Sequence, residues 1–354
     1  MATDSRAPVT TSDTPSSDPQ QPPLPEVMNE LILGAWTSQA IATAADLGVA
    51  DALASGPLPL GELAGKVGAN PDALRRLLRA LTSRDIFALR ADGRYALTPL
   101  ADLLRSDAPV SMAAMARFVG SRRHREHWSL LTEAISTGAS VVTKLRGKSF
   151  FEYMGEDVEF GQIFNDAMTS LSSAAIGPVV QAYDFSAFRT VVDVAGGHGR
   201  LLAAILDSAP EAQGVLYDLP DVVAGATPLL RELGVAERVR LEEGSFFDGV
   251  PAAGDAYVLK HIIHDWDDGP CVQILRNVRS AAGAGATLLL VEAVVPDDNS
   301  APFVKMVDME MLVINNGRER TAEEYRRLLE DAGFEMTRVV ETASRFSIIE
   351  AHAT

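Results

Sequence analysis

From Phe188 onward, short apolar runs alternate with segments of helical spacing, and this alternation restricts the fold of the chain more than any other feature. The runs Thr190 to Val194, Gly214 to Tyr217, Val239 to Glu242, Asp255 to Leu259 and Ala286 to Glu292 read as strands. Their near-continuous apolar character suits a parallel sheet covered on both faces. The expectation is a doubly wound α/β domain, which binds its ligands at the carboxyl ends of the strands. Two later runs, Glu335 to Glu341 and Phe346 to Ala351, lie close enough in sequence to form a terminal antiparallel pair.

A chain of 354 residues is too long for one simple core, and the N-terminal half reads differently. Residues 1–23, dense in Ser, Thr, Pro and Asp, read as a disordered tail without a secretory core. Helical spacing from Val27 to about Leu53 predicts an entry helix with a buried face. A short helix from Leu60, a second over Asp72 to Leu81 with Asn70 as N-cap and Pro71 at its first position, and a hairpin over Phe87 to Leu97 around Asp92-Gly93 together make a winged helix-turn-helix. The stretch 112–185 is helical in pattern and rich in Phe, Trp, Tyr and Met, which read mostly as core and in part as the lining of a flat apolar pocket. The resulting division is tail 1–23, winged helix 24–111, helical bridge 112–185 and sheet domain 186–354.

Charge decides what the winged helix is for. A net charge of −17 and scattered Glu62, Asp72, Asp85 and Asp92 leave Arg75, Arg76 and Arg79 without a basic stripe, which argues against nucleic acid, and folds of this kind also serve purely as dimerisation domains. A ligand-responsive transcription regulator remains the rival reading. The single cysteine, Cys271, excludes an intramolecular disulfide framework and reads as a buried thiol. The apolar segment Ala286 to Val295 is short and carries Glu292, so no membrane span is expected and the protein reads as cytoplasmic.

The strand Thr190 to Val194 runs into Ala195-Gly196-Gly197-His198-Gly199, which opens an apolar helix. Such glycines let a ligand approach the backbone closely, and dinucleotide, phosphate and nucleoside sites all use them. Asp218 at the end of the second strand suits ribose hydroxyls, and the loop holds no lysine of the phosphate-cradling kind. His264, just beyond the strand that ends at Leu259, lies where a general base facing the ligand crevice would sit.

With these residues in order, the chain resembles a bacterial secondary-metabolism branch of the plant-type small-molecule O-methyltransferases that use S-adenosylmethionine, over nearly everything from Val27 onward. The motifs are Asp193 to Gly199, Tyr217-Asp218-Leu219-Pro220, Gly244-Ser245-Phe246-Phe247, Leu259 to Trp266, and Gly317-Arg318-Glu319-Arg320-Thr321. The resemblance implies a Rossmann-like class I methyltransferase domain, an N-terminal winged-helix dimerisation domain and a homodimer. It implies Gly196, Gly197 and Gly199 around the methionine part of the cofactor with Asp193 at the mouth of that loop. It further implies Asp218 at the ribose, Ser245 and Phe246 at the adenine, and Leu219 and Lys260 as further cofactor contacts. His264 matches the family's base and Glu292 and Glu319 its two acidic neighbours. Phe160, Phe164, Met168, Asp265, Met311 and Asn315 match positions around a small aromatic acceptor.

Two departures stand out: Ala195 replaces the first glycine of the loop, and the segment Ile314 to Gly317 is a residue shorter than in plant relatives. The chemistry implied is O-methylation of a phenolic or enolic hydroxyl, releasing S-adenosylhomocysteine, with N-methylation or a different reaction on the same cofactor as alternatives. The pairs His261 with His264 and His124 with His127 have helical ligand spacing but no cysteine or carboxylate cluster beside them, so no metal is expected.

Overall fold

The computed structural model describes residues 22–252 and 254–354. The expected tail lies, through residue 21, outside the described residues. Strands β1 (Leu58–Pro59), β2 (Phe87–Leu89) and β3 (Arg94–Leu97) form an antiparallel sheet in the order β1-β3-β2, against which the helices Leu60–Lys66 and Pro71–Thr82 complete the winged helix. The Asn70 side chain accepts the amides of Asp72 and Ala73 at 3.0 and 3.1 Å, and the helix buries Leu74, Leu78 and Leu81. Two residues are too few for β1 to show any periodicity.

The entry segment departs from expectation. It forms three helices, Leu24–Ile32, Gly34–Asp46 and Val49–Ala52, and Leu24, Met28, Leu31, Ile32 and Trp36 are exposed rather than buried. The buried part starts later, with Ala42, Ala44 and Ala45 of the second helix and Val49, Ala50 and Leu53 after it, against which Ile41 and Leu47 pack, so the apolar stripe of the first helix faces outward.

The main sheet contains β4 (Thr190–Val194), β5 (Gln213–Asp218), β6 (Val239–Glu243), β7 (Ala256–Lys260), β8 (Thr287–Glu292), β9 (Phe334–Glu341) and β10 (Ser347–Ala353). Their order is β6-β5-β4-β7-β8-β10-β9, parallel except for β10, which is antiparallel to both neighbours. Alternating side chains feed two cores: Val191 joins Leu202, Ile205 and Leu216 on one face, while Val192 joins Ile274, Leu275 and Tyr325 on the other. The strand order reverses between β4 and β7, which opens a crevice at their carboxyl ends.

A 25-residue helix, Val158–Ala182, is the longest of the bridge, and Asp157 caps it by accepting the Phe160 amide at 3.1 Å. Its end is tied to the terminal hairpin through Glu350, which accepts from the Tyr183 hydroxyl at 2.6 Å, the Thr337 hydroxyl at 2.7 Å and the Arg338 guanidinium at 2.8 Å. Burial pushes the Glu350 carboxyl up, but these three donors outweigh it and hold it down at about 2. Its stabilisation is therefore complete above the ordinary value of 4.5 and fades as the pH falls toward 2. Glu350→Gln should cost about 2 kcal/mol at neutral pH, and urea titrations should show the gap to the parent closing between pH 4.5 and 2.

Candidate active site

The first half of the crevice is built where β4 ends. Ala195 and Gly197 adopt left-handed backbone, with φ of 57° and 60°, and turn the chain sharply into the helix Arg200–Ser208. A Cβ on Gly196 would stand 2.5 Å from the Asp193 carboxyl and 2.6 Å from Leu216, whereas one on Gly197 would meet open space. Asp193 lies beneath this loop rather than at its mouth: only 1% of it is exposed, and its Oδ2 has no hydrogen-bond partner among the described residues. Burial lifts its pKa to about 7 against the opposing pull of Lys260, whose own pKa burial lowers. Asp218, at the end of β5, accepts the Gly197 amide at 2.8 Å and the Leu219 amide at 2.7 Å, so one carboxylate fixes the glycine loop to the next strand. Beyond β6, Ser245 accepts the Phe247 amide at 3.2 Å, and the ring of Phe246 meets those of Phe247 and Trp266. Open space above a glycine, an orphaned buried carboxyl oxygen and a carboxylate at the second strand end fit the amino, carboxyl and ribose groups of a nucleoside-bearing amino acid.

The second half lies beyond β7. His261 is again left-handed, φ 57°, and swings the chain into a single turn over Ile263–Asp265 that carries His264. Glu319 accepts from His264 Nδ1 at 2.8 Å, which leaves Nε2 as the nitrogen free for exchange, 3.7 Å from an Asp265 oxygen. Burial alone would push the imidazole down, but the carboxylates of Asp265, Glu292 and Glu319 outweigh it and raise its pKa to about 10. Burial lifts Glu292 to about 7, with His264 opposing, and drives His261 well below its ordinary value.

The two acidic neighbours of His264 divide their roles. Glu319 holds the ring, whereas Glu292 accepts the backbone amides of Ile262 and Ile263 at 3.0 and 2.9 Å and so holds the turn beneath it. Asn315 donates to Asp265 at 3.0 Å, so the Ile314–Gly317 segment reaches the His264 turn. Sequence reasoning missed Asp308, which accepts the Glu319 amide at 2.9 Å, and Arg320, whose signal was its place in a motif already singled out for Glu319.

Phe160, Phe164, Met168 and Met311 pack in one apolar cluster with Phe118 and Phe150. Phe160 has no exposed surface and stacks on Phe118 at 5.7 Å, so it belongs to the bridge core, while Phe164 and Met168 keep partial exposure. A separate cavity of about 690 Å³ is lined by Trp266, Asp308, Leu312, Asn315 and Glu319 among others and touches none of the glycine-loop residues. His124 is bound to Glu310 and the Val119 carbonyl, and His127 meets Arg146 at 3.3 Å. Among the described residues there is no group of three or more His, Cys, Asp or Glu that could hold a metal ion.

Residues 128–335 match the model of an O-methyltransferase domain, and residues 29–107 that of an O-methyltransferase dimerisation domain. The chain belongs to the O-methyltransferase family. It is 42% identical to a phenazine O-methyltransferase of Lysobacter antibioticus across 93% of this chain and 96% of the relative. It is 32% identical to 8-amino-8-demethylriboflavin N,N-dimethyltransferase of Streptomyces davaonensis across 88% and 90%. A solved O-methyltransferase from neocarzinostatin biosynthesis, in complex with S-adenosylmethionine and 2-hydroxy-5-methyl naphthoic acid, superposes with a TM-score of 0.76 at 33% identity across 90% of this chain and 96% of the other. The enzyme is an S-adenosylmethionine-dependent O-methyltransferase with a Rossmann-like domain. The winged helix is its dimerisation module, and the regulator reading is not favoured.

Glu319→Gln in this O-methyltransferase keeps a hydrogen-bond partner at Nδ1 and removes one negative charge. Imidazole NMR titration of the free enzyme should show His264 falling by at least about one pH unit. An unmoved titration would mean that Glu319 does not set the state of the ring.

Proposed function

We propose that the enzyme methylates a phenolic or enolic hydroxyl of a flat aromatic secondary metabolite, with His264 as general base. The observation that carries this reading is the His264 to Glu319 contact of 2.8 Å at the carboxyl end of β7. S-adenosylmethionine, when bound, supplies a methyl group activated by its sulfonium. Gly196, Gly197 and Gly199 would hold its amino-acid part with the buried Asp193 supporting the loop from beneath, Asp218 its ribose with Leu219 a further cofactor contact, Ser245 and Phe246 its adenine, and Lys260 would balance the Asp193 carboxyl. Phe164 and Met168 would offer apolar surface to the acceptor with the buried Met311 behind them, and Asp265 and Asn315 would lie beside its reacting hydroxyl.

The chain's own contribution is proton management and alignment. A phenol has a pKa of roughly 10, and the carboxylates around His264 raise the imidazole to about 10 as well. Proton exchange between two such groups is close to balanced, so the acceptor oxygen can gain nucleophilic character without a large uphill step. Glu319 stabilises the imidazolium that results, and Glu292 keeps the turn in place while the charge moves. Because the resting ring is protonated at neutral pH, kcat/KM should rise with pH across the alkaline range. Hydroxyphenazines and hydroxynaphthoic acids are the acceptors to screen first, by the likeness to relatives that bear those names.

His264→Ala should lower kcat by at least about 100-fold while calorimetry shows S-adenosylmethionine still binding as in the parent. Full turnover in that variant would remove the base assignment.

The exposed stripe of Leu24, Met28, Leu31, Ile32 and Trp36 supports a homodimer formed through the N-terminal module. Leu31→Glu with Ile32→Glu should convert a dimer to a monomer in sedimentation velocity, and a parent that sediments as a monomer would end this part of the reading.

A further inference from the structure

Arg320 has no part in the chemistry above, yet it is among the largest side chains with under 2% exposure, and it adjoins Glu319 in sequence. Its guanidinium donates from Nη1 to the Ile263 carbonyl at 3.1 Å and from Nη2 to the Trp266 carbonyl at 2.9 Å. It also reaches Asp268 Oδ1 from Nη2 at 2.7 Å and from Nε at 3.2 Å. Ile263 and Trp266 bracket His264, so one planar fork holds both ends of the turn that carries the base. The Cys271 thiol points at the same two carbonyls, at 3.2 and 3.3 Å.

The neighbours of Arg320 follow the same turn. A Cβ on Gly317 would stand 2.1 Å from the His264 carbonyl oxygen, so the two backbones touch only because that residue is glycine. The Arg318 amide donates to that carbonyl at 2.9 Å, and Glu319 holds the ring. The segment Gly317 to Arg320 is thus a continuous mould of the catalytic turn, with Glu292 gripping the amides on its other side. A fork donating to the backbone on both sides of His264, one residue from the carboxylate on its ring, fixes the distance between ring and carboxylate. A merely space-filling side chain would not.

We propose that Arg320 is a positioning residue for methyl transfer, clamping the Ile263–Trp266 turn so that His264 stays in register with Glu319. This rests on His264 being the base. Lysine in its place keeps the charge but presents a single ammonium, which cannot span two carbonyls as the fork does.

The test compares Arg320→Lys and Arg320→Met with the parent by imidazole NMR titration, by calorimetry with S-adenosylhomocysteine, and by turnover of 1,4-dihydroxy-2-naphthoic acid or whichever screened acceptor is used best. Both variants should bind S-adenosylhomocysteine as the parent does, show His264 titrating lower, and lose about 30- to 100-fold in kcat with KM little changed. Folded variants with an unmoved His264 titration and kcat within about threefold of the parent would overturn the proposal. If both fail to fold, Cys271→Ala, which removes only the thiol's share of the clamp, decides. A smaller shift in the same direction supports the clamp, and unchanged titration and turnover overturn it. Full activity in His264→Ala would strike the base reading instead, and the NMR shift in Arg320→Lys distinguishes the two failures.

Discussion

The buried contact between His264 and Glu319 governs the arrangement around it. An imidazolium and a carboxylate taken out of water are costly unless their remaining groups are satisfied, and removing one partner strands the other. The fold meets this demand in part, with Asp265 and Glu292 around the ring, Arg318 donating to the His264 carbonyl and Asp308 accepting the Glu319 amide, while Glu319 Oε2 and Glu292 Oε2 have no hydrogen-bond partner among the described residues. The charge on His264 is therefore a property of three carboxylates from different segments.

Two left-handed residues that are not glycine, Ala195 and His261, sit at the carboxyl ends of the adjacent strands β4 and β7. Each such conformation costs an L-residue on the order of 1–2 kcal/mol. The turns they make are abrupt: one lifts the glycine loop over Asp193, the other aims the His264 turn back across the sheet. These two turns lie at the ends of neighbouring strands and lead into the glycine loop and the His264 turn. Ala195 carries a Cβ in a conformation that glycine would adopt without that cost.

The helix Leu24–Ile32 looks wrong for a lone chain, because its apolar side chains face water. Its end, from Asn29, falls within the residues that match the O-methyltransferase dimerisation domain, and an isologous contact is the kind that would cover such a stripe. That explains a winged helix with no basic face, whose arginines include one paired to a carboxylate on the same helix, Arg75 with Asp72.

Local pattern carried much of this architecture. Alternating apolar runs determined all seven strands of the main sheet to within two residues at either end, because burial on both faces leaves a signal that needs no tertiary information. Asn70-Pro71 fixed a helix start in the same way, and the family motifs brought out His264, Glu319 and the glycine loop. Tertiary structure alone decided which face of the entry helix is covered, that Phe160 is core, that Asp193 lies under its loop, and that Glu292 holds backbone while Glu319 holds the ring. These are questions of which distant groups meet: residues 263, 292 and 320 are brought together only by strand order, and no local pattern encodes a hydrogen bond across that separation.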